Sequence, residues 1–100
     1  PLSVQQKKEK MIQEDPVLAT QLHPSFPDRW VDLAYAVRYE MAITVEDVLA
    51  RRTRLLFLDA KAALECLEAV VHFMKHELNE TDEWVQMQKK DFIELAEGYL

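Results

Sequence analysis

The chain has 100 residues, 49% of them hydrophobic and 30% charged, which is typical of one folded globular domain and not of a disordered chain. The only glycine is Gly98, which excludes Gly-rich dinucleotide and phosphate loops, and no apolar run approaches the ~20 residues of a membrane helix. The net charge of −6 lies entirely in residues 62–100, which carry three basic and nine acidic side chains and should repel DNA and anionic lipid.

The first residue and the cysteine content suggest how the chain is processed and in which redox compartment it lies. It begins at Pro1 without a basic and apolar leader, so we expect a piece of a longer protein or a processed one, and no signal peptide. Cys66 is the only cysteine, so it has no internal disulfide partner, which fits a reducing compartment.

Helix signals begin near the N-terminus. Ser3 followed by Gln6 predicts a capped polar helix that ends near Asp15. Asp15-Pro16 then predicts a second short helical turn, because proline is well tolerated at the first helical position. The segment Leu22–Pro27 holds two prolines and predicts a non-helical connector that its apolar residues attach to the core.

The next predicted helix begins at Asp28 as its N-cap and ends in a break near Ala42-Ile43. Apolar residues recur along it at helical spacing and predict a buried face made of Trp30, Leu33, Ala34, Val37 and Met41.

The segment from Thr44 to Asp59 is the most informative stretch. Thr44 and Asp47 form an acidic capping box, and an apolar stripe follows at helical spacing, which predicts one helix that ends at Asp59. Arg52 falls on that stripe, so we expect it to face inward and to form a buried ion pair, with Glu40 as the first choice of partner.

Two longer helices complete the chain. Asp59 predicts the N-cap of a helix that runs to about Leu78, and Asn79 predicts a left-handed stop. Helical spacing predicts an apolar stripe along this helix made of Ala60, Ala63, Leu64, Leu67, Val70, Val71, Met74 and Leu78. Thr81 predicts the start of the last helix. Nothing alternates with period two, so the predicted fold is all-α, a compact bundle of five to six helices. We expect residues 1–100 to form a single domain, with residues 1–27 as a leading helix and proline-rich connector and residues 28–100 as the main helical bundle.

Few side chains suggest chemistry. His72 and His76 are four residues apart and could grip a metal with Glu68, although two solvated histidines are the simpler interpretation. His23 is expected to anchor the connector by a hydrogen bond, and Cys66 to be a small buried hydrophobe. The sequence therefore predicts no catalytic residue, no cofactor-binding residue and no metal site.

Three arginines, Arg51, Arg52 and Arg54, could bind phosphate or nucleic acid. The segment Tyr35–Arg54 also has the outline of a helix-turn-helix with a basic second helix. Glu46, Asp47 and the acidic remainder of the chain speak against this, but a stand-alone DNA-binding or regulatory module is kept as the alternative function.

A specific motif carries a family resemblance. The stretch YAVRYEMAITVEDVLARRTRLLFLDAKAALE contains Arg-x-Glu-x-Ala, then Asp-x-Leu-x-Arg-Arg-Thr-Arg, then Leu-Asp-Ala-x-x-Ala. It resembles the C-terminal helical domain of the FAD-dependent, respiratory glycerol-3-phosphate dehydrogenases. The motif residues to which we assign a structural role are Arg38, Glu40, Asp47, Arg51, Arg52, Arg54 and Asp59.

The resemblance implies an accessory, cap-type domain of an oxidoreductase of glycerol metabolism. In such flavoproteins a preceding domain holds FAD and glycerol 3-phosphate, and the intact protein oxidises glycerol 3-phosphate to dihydroxyacetone phosphate and passes electrons to quinone. It implies a parent protein that is cytoplasmic and peripheral at the inner membrane face, and a fragment that has no activity alone. A glycerophosphate oxidase that uses oxygen has a similar plan. The implied partners are the FAD domain of the same chain and, through exposed apolar surface, a homo-oligomer, with no nucleic acid.

Overall fold

A computed structural model describes residues 1–100, and it contains five α-helices and no β-strand. A 3₁₀ turn (Pro16–Ala19) follows the first helix, and a π-helical segment (Asp47–Arg52) precedes the third. The α-helices are α1 (Val4–Glu14), α2 (Trp30–Tyr39), α3 (Leu55–Leu58), α4 (Ala60–Leu78) and α5 (Asp82–Glu97). The Cα radius of gyration is 13.3 Å, close to the ~13 Å of a compact 100-residue domain, so the predicted all-α, five- to six-helix bundle is confirmed.

The predicted helix caps of α1, α4 and α5 are present. Ser3 and Gln6 bond reciprocally at 2.8 and 3.1 Å, which closes the capping box of α1. Asp59 and Thr81 each accept a hydrogen bond from the backbone N–H three residues later, at 3.0 and 3.1 Å. Asn79 ends α4 with φ 55° in the left-handed region, as predicted.

The start of α2 differs from the prediction. The N-cap position is Arg29, whose N–H donates to the Asp32 carboxylate at 2.9 Å, so the prediction of Asp28 as N-cap is wrong. Asp28 instead accepts a hydrogen bond at its carbonyl from the Leu22 N–H, at 2.9 Å. The connector closes on Asp28 in this way, and the helix begins only at Trp30.

The end of α2 also differs. The helix stops at Tyr39, and Met41 has φ 59°, so the chain turns there. This turn buries Ala42, whose N–H donates to the Ala36 carbonyl at 3.1 Å, and leaves Met41 84% exposed. Met41 therefore does not lie on the buried face of α2 as predicted, because the helical spacing does not extend past Tyr39.

The main core surrounds α4. The predicted apolar stripe of α4 is buried against α2, residues 44–59 (the central segment) and α5, except that Leu64 and Leu78 are only partly buried. Leu22 and Phe26 pack against this core and attach the connector to it, as predicted.

A second, smaller cluster joins α1 and the 3₁₀ turn to α2 through Met11, Leu18, Val31, Ala34 and Tyr35. None of the five helices has both the length and the apolar character to cross a bilayer.

Candidate functional site

The predicted capping box opens the central segment. Asp47 accepts from the backbone N–H groups of Ile43 and Thr44, at 3.0 and 3.1 Å, and its own N–H donates to the Thr44 hydroxyl at 3.1 Å. Burial acts to raise the pKa of Asp47, but these hydrogen bonds and the nearby Arg51 charge outweigh it, so the pKa lies below its usual value. The carboxylate thus holds the loop between α2 and the π-helical segment in place.

The prediction of one continuous helix from Thr44 to Asp59 is wrong. The backbone is π-helical over Asp47–Arg52, and Thr53 closes it by donating its N–H to the Val48 carbonyl five residues back, at 3.0 Å. Arg54 then has φ 59°, which separates this segment from α3. The wider turn inserts one extra residue, and it changes which side chain faces the core.

Thr53 takes the inward position that the periodicity gave to Arg52. Its hydroxyl is buried, donates to the Val48 carbonyl at 3.0 Å and lies 3.3 Å from the Leu55 N–H. A small hydroxyl with both bonds made costs far less to bury than a guanidinium. Helical spacing alone does not predict the inward position of Thr53. The signal in the sequence is a hydroxyl residue, which can bond helix carbonyls, next to a charged residue on the apolar stripe.

Arg52 lies beside Glu40, the predicted partner, but the pair is not buried. Its side chain is 45% exposed, one guanidinium nitrogen lies 3.8 Å from the Glu40 carboxylate, and another donates to the Glu40 carbonyl at 2.9 Å. Glu40 follows the last residue of α2, so Arg52 satisfies a carbonyl at the C-terminal end of that helix. Exposed pairs of this kind contribute about 0–1 kcal/mol, less than the buried pair that we predicted.

Arg51 and Arg52 are shared by two polar clefts. The larger, of about 450 Å³, is lined by Lys8, Asp28, Asp32, Glu40, Arg51, Arg52 and Thr53. The smaller, of about 290 Å³, is lined by Met41, Ala42, Asp47, Arg51 and Arg52. Because three carboxylates offset three cations in the larger cleft, it does not attract a phosphate as a cluster of unpaired arginines would.

Two carboxyl groups of the larger cleft, those of Asp28 and Asp32, have pKa values shifted in opposite directions. Burial raises the pKa of Asp28, and the nearby charge of Asp32 raises it further. Burial also acts on Asp32, but the hydrogen bond from the Arg29 N–H and the Lys8 ammonium, 2.9 Å away, bring the pKa of Asp32 below its usual value. These side chains tie α1 to α2, and the cleft contains no nucleophile paired with a base.

The remaining motif residues lie at separate places. Arg38 donates to the Glu77 carboxylate and so links α2 to α4; this hydrogen bond raises the pKa of Arg38. Arg54 is exposed, and its guanidinium carbon lies 5.6 Å from the centroid of the Phe57 ring. The structure therefore brings Arg51 and Arg52 together with Glu40 and Asp47, but not Arg38 or Asp59.

Two of the histidines and the cysteine considered as candidates, His72, His23 and Cys66, make contacts within the domain. His72 is exposed and contacts Glu68 at 3.0 Å, and no group of three or more His, Cys, Asp or Glu side chains is placed to hold a metal ion. Cys66 is buried, as predicted, and its sulfur lies 3.5 Å from the Leu22 carbonyl oxygen. Burial raises the pKa of its thiol. His23 accepts from the Ser25 N–H at 3.1 Å, and its other ring nitrogen lies 3.1 Å from the Glu65 carboxylate on α4, so it anchors the connector as predicted.

The helix-turn-helix alternative lacks its second helix. The segment that would enter a DNA groove is six residues of π-helix, followed by a turn at Thr53 and Arg54. All three arginines of this segment are exposed, as DNA binding would need, but Arg51 contacts Glu46 and Asp47 at 3.4 and 3.6 Å. The geometry does not favour DNA binding.

Comparison with known proteins agrees with the sequence resemblance. The family model described as the C-terminal domain of alpha-glycerophosphate oxidase matches residues 4–85. A probable mitochondrial glycerol-3-phosphate dehydrogenase of Caenorhabditis elegans is 42% identical over 86 residues, which is 83% of this chain and 12% of that protein. The mitochondrial glycerol-3-phosphate dehydrogenase of Rattus norvegicus is 36% identical over 85 residues, which is 85% of this chain and 11% of that protein.

A relative with the same name from Schizosaccharomyces pombe is 42% identical over 65 residues, which is 62% of this chain and 10% of that protein. No solved structure matches the chain. The chain thus spans about a tenth of the length of these relatives, at most 12%. Because the family model matches most of it, the chain belongs to the family of the C-terminal domain of alpha-glycerophosphate oxidase.

Proposed function

We propose that these 100 residues are a non-catalytic accessory domain of a larger FAD-dependent enzyme that oxidises glycerol 3-phosphate to dihydroxyacetone phosphate. The observation that carries the proposal is the family match over residues 4–85, together with relatives named as glycerol-3-phosphate dehydrogenases. In this proposal residues 1–100 act as one domain that supports the catalytic part of its own polypeptide.

The residues of this chain do not fit a flavin site. A dinucleotide site of the Gly-rich type needs glycines in a turn between a strand and the start of a helix. Here the only glycine, Gly98, follows the end of α5, and no strand precedes any helix. We therefore assign FAD and the substrate to another part of the parent protein.

The motif residues have structural roles in this proposal. Asp47 and Asp59 accept backbone N–H groups at helix starts, Arg52 satisfies a carbonyl at the end of α2, and Arg38 links two helices through Glu77. The proposed structural set is Arg38, Glu40, Asp47, Arg51, Arg52, Arg54 and Asp59.

The electron acceptor separates two versions of the function. The relatives' names favour a dehydrogenase, for which we propose quinone as acceptor, whereas the description of the family model favours an oxidase that uses oxygen. For the parent we propose a cytoplasmic protein that is attached peripherally at the inner membrane face, as the family resemblance implies. The mitochondrial location belongs to the named relatives.

The test uses the full-length product of the parent gene. Reduction of a dye that depends on glycerol 3-phosphate, in a preparation with a flavin absorption spectrum, is the expected result. Rapid oxygen uptake without dye would identify the oxidase version. A full-length product that shows neither flavin nor activity would overturn the proposal.

A further inference from the structure

Phe57 and Tyr99 form an exposed aromatic pair next to Arg54. Their ring centroids are 5.2 Å apart in an edge-to-face arrangement, and Phe57 and Tyr99 are 45% and 51% exposed. The guanidinium of Arg54 lies over the Phe57 ring, with its carbon 5.6 Å from the ring centroid. Aromatic residues and arginine are the types most enriched at the centres of protein interfaces. We name Arg54, Phe57 and Tyr99 the Phe57 patch.

The backbone at Arg54 is unfavourable for the domain alone. Its φ of 59° lies in the left-handed region, which costs conformational free energy for a residue with a Cβ. Arg54 is exposed and has no ion pair, whereas Arg38, Arg51 and Arg52 each contact a carboxylate. Within the domain the guanidinium has the Phe57 ring as its contact and no carboxylate, and strained backbone positions cluster at functional sites.

We infer that the Phe57 patch is the surface that docks on the larger, flavin-binding part of the same polypeptide, which supplies an apolar contact for the rings and a carboxylate for Arg54. This inference rests on the proposed function. The matched region is at most 12% of each relative, so the domain has a large covalent neighbour. A tethered neighbour is present at high effective concentration, so a small patch is sufficient to hold it.

A second copy of the chain fits the patch less well. In a twofold contact the same surface faces itself, so two Arg54 guanidinium groups would approach each other. Like charges brought together in this way oppose the contact. A carboxylate from a different surface is the better complement to Arg54.

Labelling of two tyrosines in the full-length parent protein tests the inference. Tyr39 and Tyr99 are the same residue type and are 55% and 51% exposed in this domain, so hydroxyl radicals should label them at similar rates if nothing covers either ring. We expect Tyr99 to be labelled several-fold more slowly than Tyr39. Equal rates would overturn the inference.

Two matched variants show whether Arg54 holds the contact. Arg54→Asn and Met41→Asn both replace an exposed residue of positive φ with one that tolerates it. Arg54→Asn removes a hydrogen bond to a charged group, which weakens docking about tenfold or more. The Tyr99 rate should then rise towards that of Tyr39, whereas Met41→Asn should leave the ratio unchanged. An unchanged ratio in Arg54→Asn, or a changed one in Met41→Asn, overturns the inference.

Enzyme activity, bound flavin and particle mass, measured on the same preparation, distinguish failure of the docking inference from failure of the proposed function. Activity and bound flavin combined with equal labelling of the two tyrosines would overturn the patch and leave the proposed function intact. No flavin and no activity would overturn the proposed function, whatever the labelling. Protection of Tyr99 that disappears on dilution, as the particle mass halves, would identify a second copy as the occupant and overturn the inference.

Discussion

The replacement Asp47→Ala should destabilise the domain by removing the acceptor for two backbone N–H groups. Asp47 accepts from Ile43 and Thr44 at 3.0 and 3.1 Å. A lost cap acceptor costs about 1 kcal/mol, and water can partly replace it at the exposed Ile43, so the total is about 1–2 kcal/mol. For a domain of this size that lowers Tm by roughly 4–16 °C.

Asp47→Asn separates the hydrogen bonds from the charge. The amide oxygen can still accept both N–H groups, but the contact with Arg51 at 3.6 Å is lost. An exposed pair of this kind contributes about 0.2–1 kcal/mol, so Asp47→Asn should melt clearly above Asp47→Ala.

The assay is thermal denaturation of the 100-residue chain followed by circular dichroism, at neutral pH and at acid pH. The folded pKa of Asp47 is lowered, so its stabilising effect is complete above the unfolded pKa of about 3.9 and is lost as pH falls through the folded pKa. The stability gap between wild type and Asp47→Asn should therefore narrow only below about pH 4. A Tm of Asp47→Ala within about 2 °C of wild type would refute the assignment of the cap.

Three further replacements test other contacts by the same melts. Arg52→Ala should cost about 1 kcal/mol or less, because the pair with Glu40 is exposed; a loss of about 3 kcal/mol or more would mean that the pair is buried. Gln88→Ala should cost about 1–3 kcal/mol, because the buried Gln88 amide oxygen accepts from the Val45 N–H at 2.9 Å; an unchanged Tm would contradict that bond. Met41→Gly should raise stability by about 0.5–1 kcal/mol, since it relieves a positive φ at an exposed side chain; a lower Tm would show that the Met41 side chain stabilises the fold.

The parts of the fold that the sequence predicted are those that local chemistry decides. Ser3, Asp59 and Thr81 cap helices with their own side chains, and Asn79 tolerates the left-handed conformation that ends α4. Each signal acts within about one helical turn, so the residues involved are neighbours in the sequence. The apolar stripe of α4 is equally local, because helical spacing alone fixes one face.

The errors lie where packing between segments overrides local preference. Arg52 sits at helical spacing from its apolar neighbours, but burying its charge would be costly, and the π-helical turn places Thr53 inside instead. Asp28 is a good capping residue, but its carbonyl accepts a hydrogen bond from the Leu22 N–H of the connector, and the helix begins one residue later than Asp28 as N-cap would require. Met41 follows a helix that has already ended.

The two arginine-lined clefts and the Phe57 patch were predicted only in part. The motif indicated Arg51, Arg52 and Arg54, and the structure separates Arg54 from the two clefts that the others share. The contact between Phe57 and Tyr99 joins residues 42 positions apart, and periodicity carries no information about pairs at that distance.

The anchor of the connector fixes the chemistry of one imidazole ring. Nδ1 of His23 accepts from the Ser25 N–H, so in the neutral ring the proton must be on Nε2, which lies 3.1 Å from the Glu65 carboxylate on α4. A free histidine exchanges between its two tautomers, whereas in the attached connector the contacts at both ring nitrogens favour one of them. The ¹⁵N chemical shifts of the two ring nitrogens of His23 differ in that state, so nuclear magnetic resonance of ¹⁵N-enriched protein can detect loss of the Glu65 contact when residues 22–27 detach, without a substitution.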